Sequence, residues 1–188
     1  MTSEKIIVGL AGMAGSGKSV VANVARQNGY EVVLMGNVVR EEAQKRHIEP
    51  SPEHLGRIML ELRQAEGDAA IAKRCIPRIE STLKSKVLID GVRSLAEVEE
   101  FKKHFAKFTF VAIHTSPETR FKRLFTRQRS DDPKVMETFR QRDQRELGVG
   151  LGNAIAMADY IIVNEGNIEA TKTRACQILT RIEQKWTK

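Results

Sequence analysis

Aromatic side chains are scarce in this chain, at 5% of its 188 residues. That scarcity counts against a single-stranded nucleic-acid platform, which needs rings for bases to stack on. Cysteine is scarcer still. Cys75 and Cys176 stand far apart and form neither a disulfide framework nor a zinc-ligand spacing, so free thiols in a reducing cytoplasm are expected. His47, His54, His104 and His114 show no metal-ligand spacing either. No apolar run approaches the length that spans a bilayer, and no basic segment leads into a signal-type core. A cytoplasmic protein with no membrane partner is therefore expected. There is no block of five like charges, no repeat and no low-complexity tract. The remainder is ordinary for one globular domain, 41% hydrophobic and 29% charged.

The formal charge of +7 admits two readings. A nucleic-acid binder would want a basic stripe with interleaved aromatics. A polyphosphate substrate needs cations placed locally. The arginines crowd between Arg120 and Arg145, which favours the second reading and leaves nucleic acid as the lesser partner. Nothing in the sequence fixes the oligomeric state.

One stretch carries most of the chemistry. Gly12-Met13-Ala14-Gly15-Ser16-Gly17-Lys18-Ser19 fits the G-x-x-x-x-G-K-[ST] phosphate loop. The apolar run from Ile6 to Ala11 precedes it as a strand. From Val20 to Arg26 a helix follows, and Asn28-Gly29 stops it. In that context the loop amides and the helix N-terminus converge on phosphate oxygens. Lys18 is expected to reach the β- and γ-phosphates of ATP and the Ser19 hydroxyl to ligate Mg²⁺.

Further along, Glu31–Met35 reads as a second strand ended by Gly36, with helical spacing from Val38 to Arg46. Ser51 reads as an N-cap, with Pro52 at the first position of a helix to about Gly67. Asp68 would cap another through Ile79 and Leu83, kinked at Pro77. Strands follow at Lys86–Asp90, Phe108–His114 and Asp159–Val163. Helices open at Ser94 and Ser116, and a last one runs to Trp186. The alternation predicts an α/β fold, a single P-loop NTPase domain with a five-stranded parallel sheet flanked by helices. The core is placed at about 1–36, 84–118 and 153–188. Helices at about 37–70 would bind an acceptor, and an Arg-rich helical lid would occupy about 120–150.

Asp90 ends the third strand beside the loop, placed either to hold Mg²⁺ or to cap loop backbone. Arg40 and Arg93 would project from the same carboxyl edge and clamp a second phosphate group, with a solvated helix-surface charge the alternative for Arg40. Arg120, Arg123 and Arg127 share one face of the basic helix, with Phe121, Leu124 and Phe125 on the core-seeking side. Arg129-Ser130-Asp131-Asp132-Pro133 then breaks it before a helix bearing Arg140, Arg142 and Arg145. This is either a lid bringing arginines to a transferring phosphoryl group or a solvated hairpin. Asp131 and Asp132 would hold the lid arginines in register when it is open. Asn164-Glu165-Gly166-Asn167 would lie beside the loop, where backbone and amides reach a purine base or simply form a turn.

Together these segments resemble the nucleoside monophosphate kinase group of P-loop proteins. Within that group they are most similar to the archaeal dephospho-CoA-kinase-related or adenylate-kinase-related family. The resemblance spans nearly the whole chain. It rests on Gly12–Ser19, Met35–Glu42, Asp90–Ser94, Arg129–Pro133 and Ala158–Gly166. It implies acceptor-binding roles for Gly36, Asn37, Arg40 and Arg93, although the turn at Asp90 is one residue shorter than in such kinases and lacks their proline. It implies catalytic roles for Lys18, Asp90, Arg129 and Arg142, and nucleotide contacts from Gly12 to Val20 and at Asn164 and Gly166. Asn37 stands where an aspartate is expected in the archaeal family, near the carboxylate base of dephospho-CoA kinases. An amide accepts no proton, which tilts the expected acceptor toward an already anionic phosphate. The rival activities are phosphorylation of a ribose hydroxyl, as in dephospho-CoA kinases, and a regulatory ATPase that binds protein or RNA.

Overall fold

The computed structural model describes residues 4–128 and 132–187. Five parallel strands form one sheet in the order β2-β3-β1-β4-β5, comprising β1 (Ile6–Ala11), β2 (Glu31–Leu34), β3 (Lys86–Asp90), β4 (Phe108–His114) and β5 (Tyr160–Val163). β1 is buried along its whole length, as a central strand covered on both faces must be. Alternation splits its side chains between two cores. Ile6, Val8 and Leu10 meet α1 (Lys18–Gln27) and α9 (Ile168–Trp186). On the other face, Ile7 and Ala11 join α2 (Met35–Lys45), α3 (Pro52–Glu66), α4 (Ala70–Ser81) and α5 (Leu95–His104). Gly9 faces that second core, where a Cβ would stand 2.7 Å from the Phe108 ring. Close approach of this ring is what the glycine permits.

The remaining helices are α6 (Pro117–Arg127), α7 (Met136–Gly148) and α8 (Leu151–Ala156). Ala14 of the phosphate loop packs with Leu124 and Phe139 in a small third cluster, with Phe121 against it. The arginine-bearing hairpin is thus rooted on the loop itself.

The structure corrects several expectations. β2 stops at Leu34, and Met35, 2% exposed, already begins α2. Burial of Met35 in the core draws the helix start forward, so Gly36 and Asn37 lie in its first turn. Asp68 caps nothing. The N-cap of α4 is Ala69, without a side-chain bond, and the helix ends at Ser81, leaving Leu83 in solvent. Pro77 does lie within α4. Ser51 and Ser94 do cap α3 and α5, accepting from the amides of His54 and Glu97 at 3.2 Å each. α8 was not anticipated. Glycines on both sides of Leu151 hide it, and Gly150, at φ 102°, begins it. Among the described residues no helix is long and apolar enough to cross a membrane.

Candidate active site

The phosphate loop is fastened from behind. Ala14 carbonyl accepts from Arg120 Nη1 at 3.1 Å. Ser16 carbonyl accepts from Asn164 Nδ2 at 2.8 Å and Thr115 Oγ1 at 3.0 Å. In a trans peptide the N–H points opposite to the C=O. Holding these oxygens outward therefore turns the Gly15 and Gly17 amides to the concave side, where a phosphate would sit. Gly17 is required twice over: its φ is 103°, and a Cβ there would collide with the Asn164 amide. α1 then begins at Lys18, with its N-terminus facing the same hollow.

Lys18 Nζ donates to Gly12 carbonyl at 2.5 Å and Met13 carbonyl at 3.2 Å. Burial lowers its pKa, opposed by the carboxylates of Asp90 and Glu146 and reinforced by Arg93 and Arg142. Those four charges mark what converges on the lysine: the end of β3, the turn after it, and α7 of the hairpin. Asp90, half-buried and paired in register with Leu10 of β1, has its carboxyl pushed up by burial, with Lys18, Arg26 and Arg93 pulling it back. Ser19 is exposed at the first turn of α1. A hydroxyl and a carboxylate with room for phosphate oxygens and water suit Mg²⁺, which takes few protein ligands. Among the described residues no group of three or more His, Cys, Asp or Glu forms a ready metal cage.

Across from the loop lies a cavity of about 1620 Å³, walled by α2, α3, the β3–α5 turn, α7 and α8. Gly36, Arg40, Arg93 and Arg142 all line it. Seven basic side chains against five acidic ones face it, so its field favours anions. Asn37 is not in the wall but holds one of its members, accepting from Arg40 Nη1 at 2.9 Å. Arg142 Nε lies 3.7 Å from Glu146 Oε1.

Three expected placements differ. Asn164 is 5% exposed, and its amide is spent on Ser16 carbonyl while its Oδ1 accepts from Thr171 Oγ1 at 2.7 Å. Its side chain braces the loop instead of facing a base. Gly166 is exposed beyond it. On α6 two side chains change places: Leu124 and Phe121 pack inward as expected, but Arg120 is 3% exposed and Phe125 is 53% exposed. Asp143 of α7 takes Arg120 in two bonds of 2.9 and 2.5 Å, and the Phe139 ring lies 4.9 Å beneath the guanidinium. A fully partnered guanidinium can lie where an unpartnered one could not. Asp132 does hold Arg127, at 2.9 and 2.5 Å. Arg129, Ser130 and Asp131 lie outside the described residues.

Sequence reasoning missed Arg63, Glu97, Asp143 and Glu146. Glu97 had a readable signal, since Ser94-x-x-Glu97 has the spacing of a capping box. Arg63 follows Ile58 and Leu62 on the buried side of α3, so a charge interrupting an apolar stripe was its signal.

The lid root yields a stability prediction. Asp143→Ala strips Arg120 of its carboxylate but leaves it the Ala14 and Thr115 carbonyls. A loss of about 3 kcal/mol is expected, the lower end for a broken buried pair, read by urea unfolding. A loss near zero would show that the guanidinium is satisfied without Asp143.

Sheet order, loop and lysine define a P-loop NTPase. A family model for the AAA domain matches residues 11–140, and the chain belongs to that family. It belongs more particularly with the UPF0200 proteins. One from Hyperthermus butylicus is 49% identical over 180 residues, covering 96% of each chain. Among solved structures, a shikimate kinase from Bacteroides thetaiotaomicron superposes at TM-score 0.63 with 16% identity, over 93% of this chain and 98% of that one. A gluconokinase from Sinorhizobium meliloti superposes at 0.58, also with 16% identity, over 98% and 97%. These likenesses concern the fold.

Proposed function

We propose that the protein is an ATP- and Mg²⁺-dependent phosphotransferase acting on a nucleotide-like small molecule, in the manner of a nucleoside monophosphate kinase. The observation that carries this reading is the junction of two sites. The loop lysine feels the charges of Asp90, Arg93 and Arg142, and Asp90 those of Lys18 and Arg93, and both arginines also line the anion-favouring cavity. A donor and an acceptor held on its two sides would meet over Lys18, where positioning and charge stabilisation do most of the catalysis.

In this reading the amides from Gly12 to Val20 hold the triphosphate. Lys18 takes the β- and γ-oxygens, and Arg142 neutralises charge on the transferring group together with Arg129. Arg40 and Arg93 seat the acceptor. Ser19 and Asp90 would hold Mg²⁺, which supplies charge neutralisation between the β- and γ-phosphates. The kinase names of the structural neighbours agree with the reaction type and make shikimate and gluconate useful controls in an acceptor screen.

That screen is the test. ADP release from Mg·ATP is followed with AMP, CMP, UMP, dephospho-CoA, shikimate and gluconate. Turnover rising many-fold with a nucleoside monophosphate is expected. Acceptor-independent turnover that RNA or a protein partner raises would sink the reading in favour of a regulatory ATPase. Asn37 adds a sharper comparison. A monophosphate acceptor needs no base, so Asn37→Asp should leave its kcat nearly unchanged. The same change should raise any dephospho-CoA reaction by about 10²–10⁴-fold, if the new carboxylate reaches the ribose hydroxyl. Efficient dephospho-CoA turnover by the unmodified chain, with none for monophosphates, would overturn the preference and give Asp90 the base role.

A further inference from the structure

One buried cation in the acceptor cavity lacks the partners its burial calls for. Arg63 on α3 is 9% exposed and lines the cavity. Its Nη2 donates to Glu97 Oε1 at 2.5 Å. Nε and Nη1 are buried and meet no acceptor among the described residues. These nitrogens carry most of the guanidinium's donors, and leaving buried charged donors unmet is costly.

Glu97 meets Arg63 through Nη2 alone and does not reach the other two nitrogens. It is fully buried, and its other oxygen, Oε2, already accepts from the Arg93 backbone N–H at 2.7 Å. Arg93 is also poorly served, its Nη1 directed at Met59 Sδ at 3.3 Å, a weak acceptor. Met59 and Arg63 stand one turn apart on α3, so the two guanidiniums flank one stretch of wall. Two fixed positive charges and one carboxylate leave a net charge of one, facing a cavity with donors to spare.

We propose that Arg63 and Arg93, bracketed by Glu97, form an anion subsite that takes an oxyanion of the acceptor, phosphate or carboxylate. The word acceptor rests on the phosphotransferase reading; the anion site itself does not. Arg40, exposed and held by Asn37, is the outer member of the clamp, and Arg63 its buried one. The subsite rejects acceptors without a negative group, because a neutral group would leave the buried donors unmet.

Calorimetry on the full chain saturated with Mg²⁺ and a non-hydrolysable ATP analogue tests this without turnover, since the analogue fills the phosphate loop and cannot give up its terminal phosphoryl group. The titrants are AMP, shikimate, gluconate and, as the neutral control, adenosine. At least one anionic probe should bind about 10–100-fold more tightly than adenosine, the range of a charged hydrogen bond. Binding of AMP would assign the phosphate source, and binding of shikimate or gluconate the carboxylate source. Arg63→Lys keeps a positive charge beside Glu97 but removes the fork. It should weaken the bound probe about tenfold or more and leave the affinity for the ATP analogue unchanged. A purely structural arginine predicts unchanged probe affinity in a folded Arg63→Lys protein, and that result would overturn the proposal. So would adenosine binding as well as AMP, or no anionic probe binding at all; those comparisons need no variant. If anions bind through Arg63 but no phosphoryl transfer is found, the phosphotransferase reading falls and the subsite stands. Transfer to a neutral acceptor would do the opposite, sustaining the phosphotransferase and removing the subsite.

Discussion

Replacing Lys18 by alanine will lower nucleotide turnover by roughly 10²–10³-fold or more, the scale for losing one preorganised donor at a charged transition state, without loosening the fold. The two halves of that expectation have separate causes. The ammonium is the only charged group that the loop itself presents to the phosphates, and no neighbouring lysine replaces it on α1. Its contacts in the protein are to two carbonyls of its own loop. Burial also holds its pKa below the ordinary lysine value, so in the empty protein the charged form opposes stability. That penalty is fully present below the folded-state pKa and fades as pH rises through the ordinary lysine range. Lys18→Ala should therefore melt at the same temperature as the parent or higher. Turnover that survives the change would remove the phosphate loop from the chemistry, and a collapsed melting temperature would make any loss of activity uninformative about catalysis.

Arg142→Ala carries the second large effect, a fall in kcat of roughly 10³-fold, on the scale of an arginine finger. ATP affinity should hardly change. Arg142 is half-buried, lines the large cavity beside α2 and α3 and lies close enough to Lys18 for its charge to act there. Glu146, one turn on, is one carboxylate beside it. Single-turnover rates at saturating ATP separate this from a binding defect. The same substitution at Arg129 belongs in the experiment. Unchanged rates for both variants would leave the hairpin as solvated surface and the lid reading without support.

Local features of this chain were readable and distant ones were not. A parallel sheet covered on both faces writes itself as short unbroken apolar runs, which is why Val87-Leu88-Ile89 and Phe110-Val111-Ala112-Ile113 pointed to strands. The phosphate loop is contiguous, so its identity needed no tertiary knowledge. Arg120 shows where such reading stops. An amphipathic tally puts arginine in water, and its burial is made tolerable by distant partners, Ala14 carbonyl and Asp143, the latter twenty-three positions away on another helix. Arg63 and Glu97 repeat the case across thirty-four positions. Asn164 looked like a turn residue free to meet a base. The Ser16 carbonyl that claims it lies 148 positions earlier and is brought there only by the β4–β5 pairing.

The strand order has a consequence for how such proteins diverge. Nucleotide-handling groups hang from the interior of the sheet, between β1, β3 and β4, whereas α2 and α3 follow β2 at the outer edge. An edge strand has one neighbour, and β2 is tied only to β3. Helices suspended there can be lengthened, recut or refilled with other side chains while the central strands keep their pairing. The same frame can then be refitted for a new small molecule without renegotiating the half that holds phosphate. Proteins only 16% identical to this one, named for shikimate and for gluconate, trace the same path through space. A preference for one small molecule over another would then be set at the edge of the sheet, apart from the strands that carry the phosphate loop.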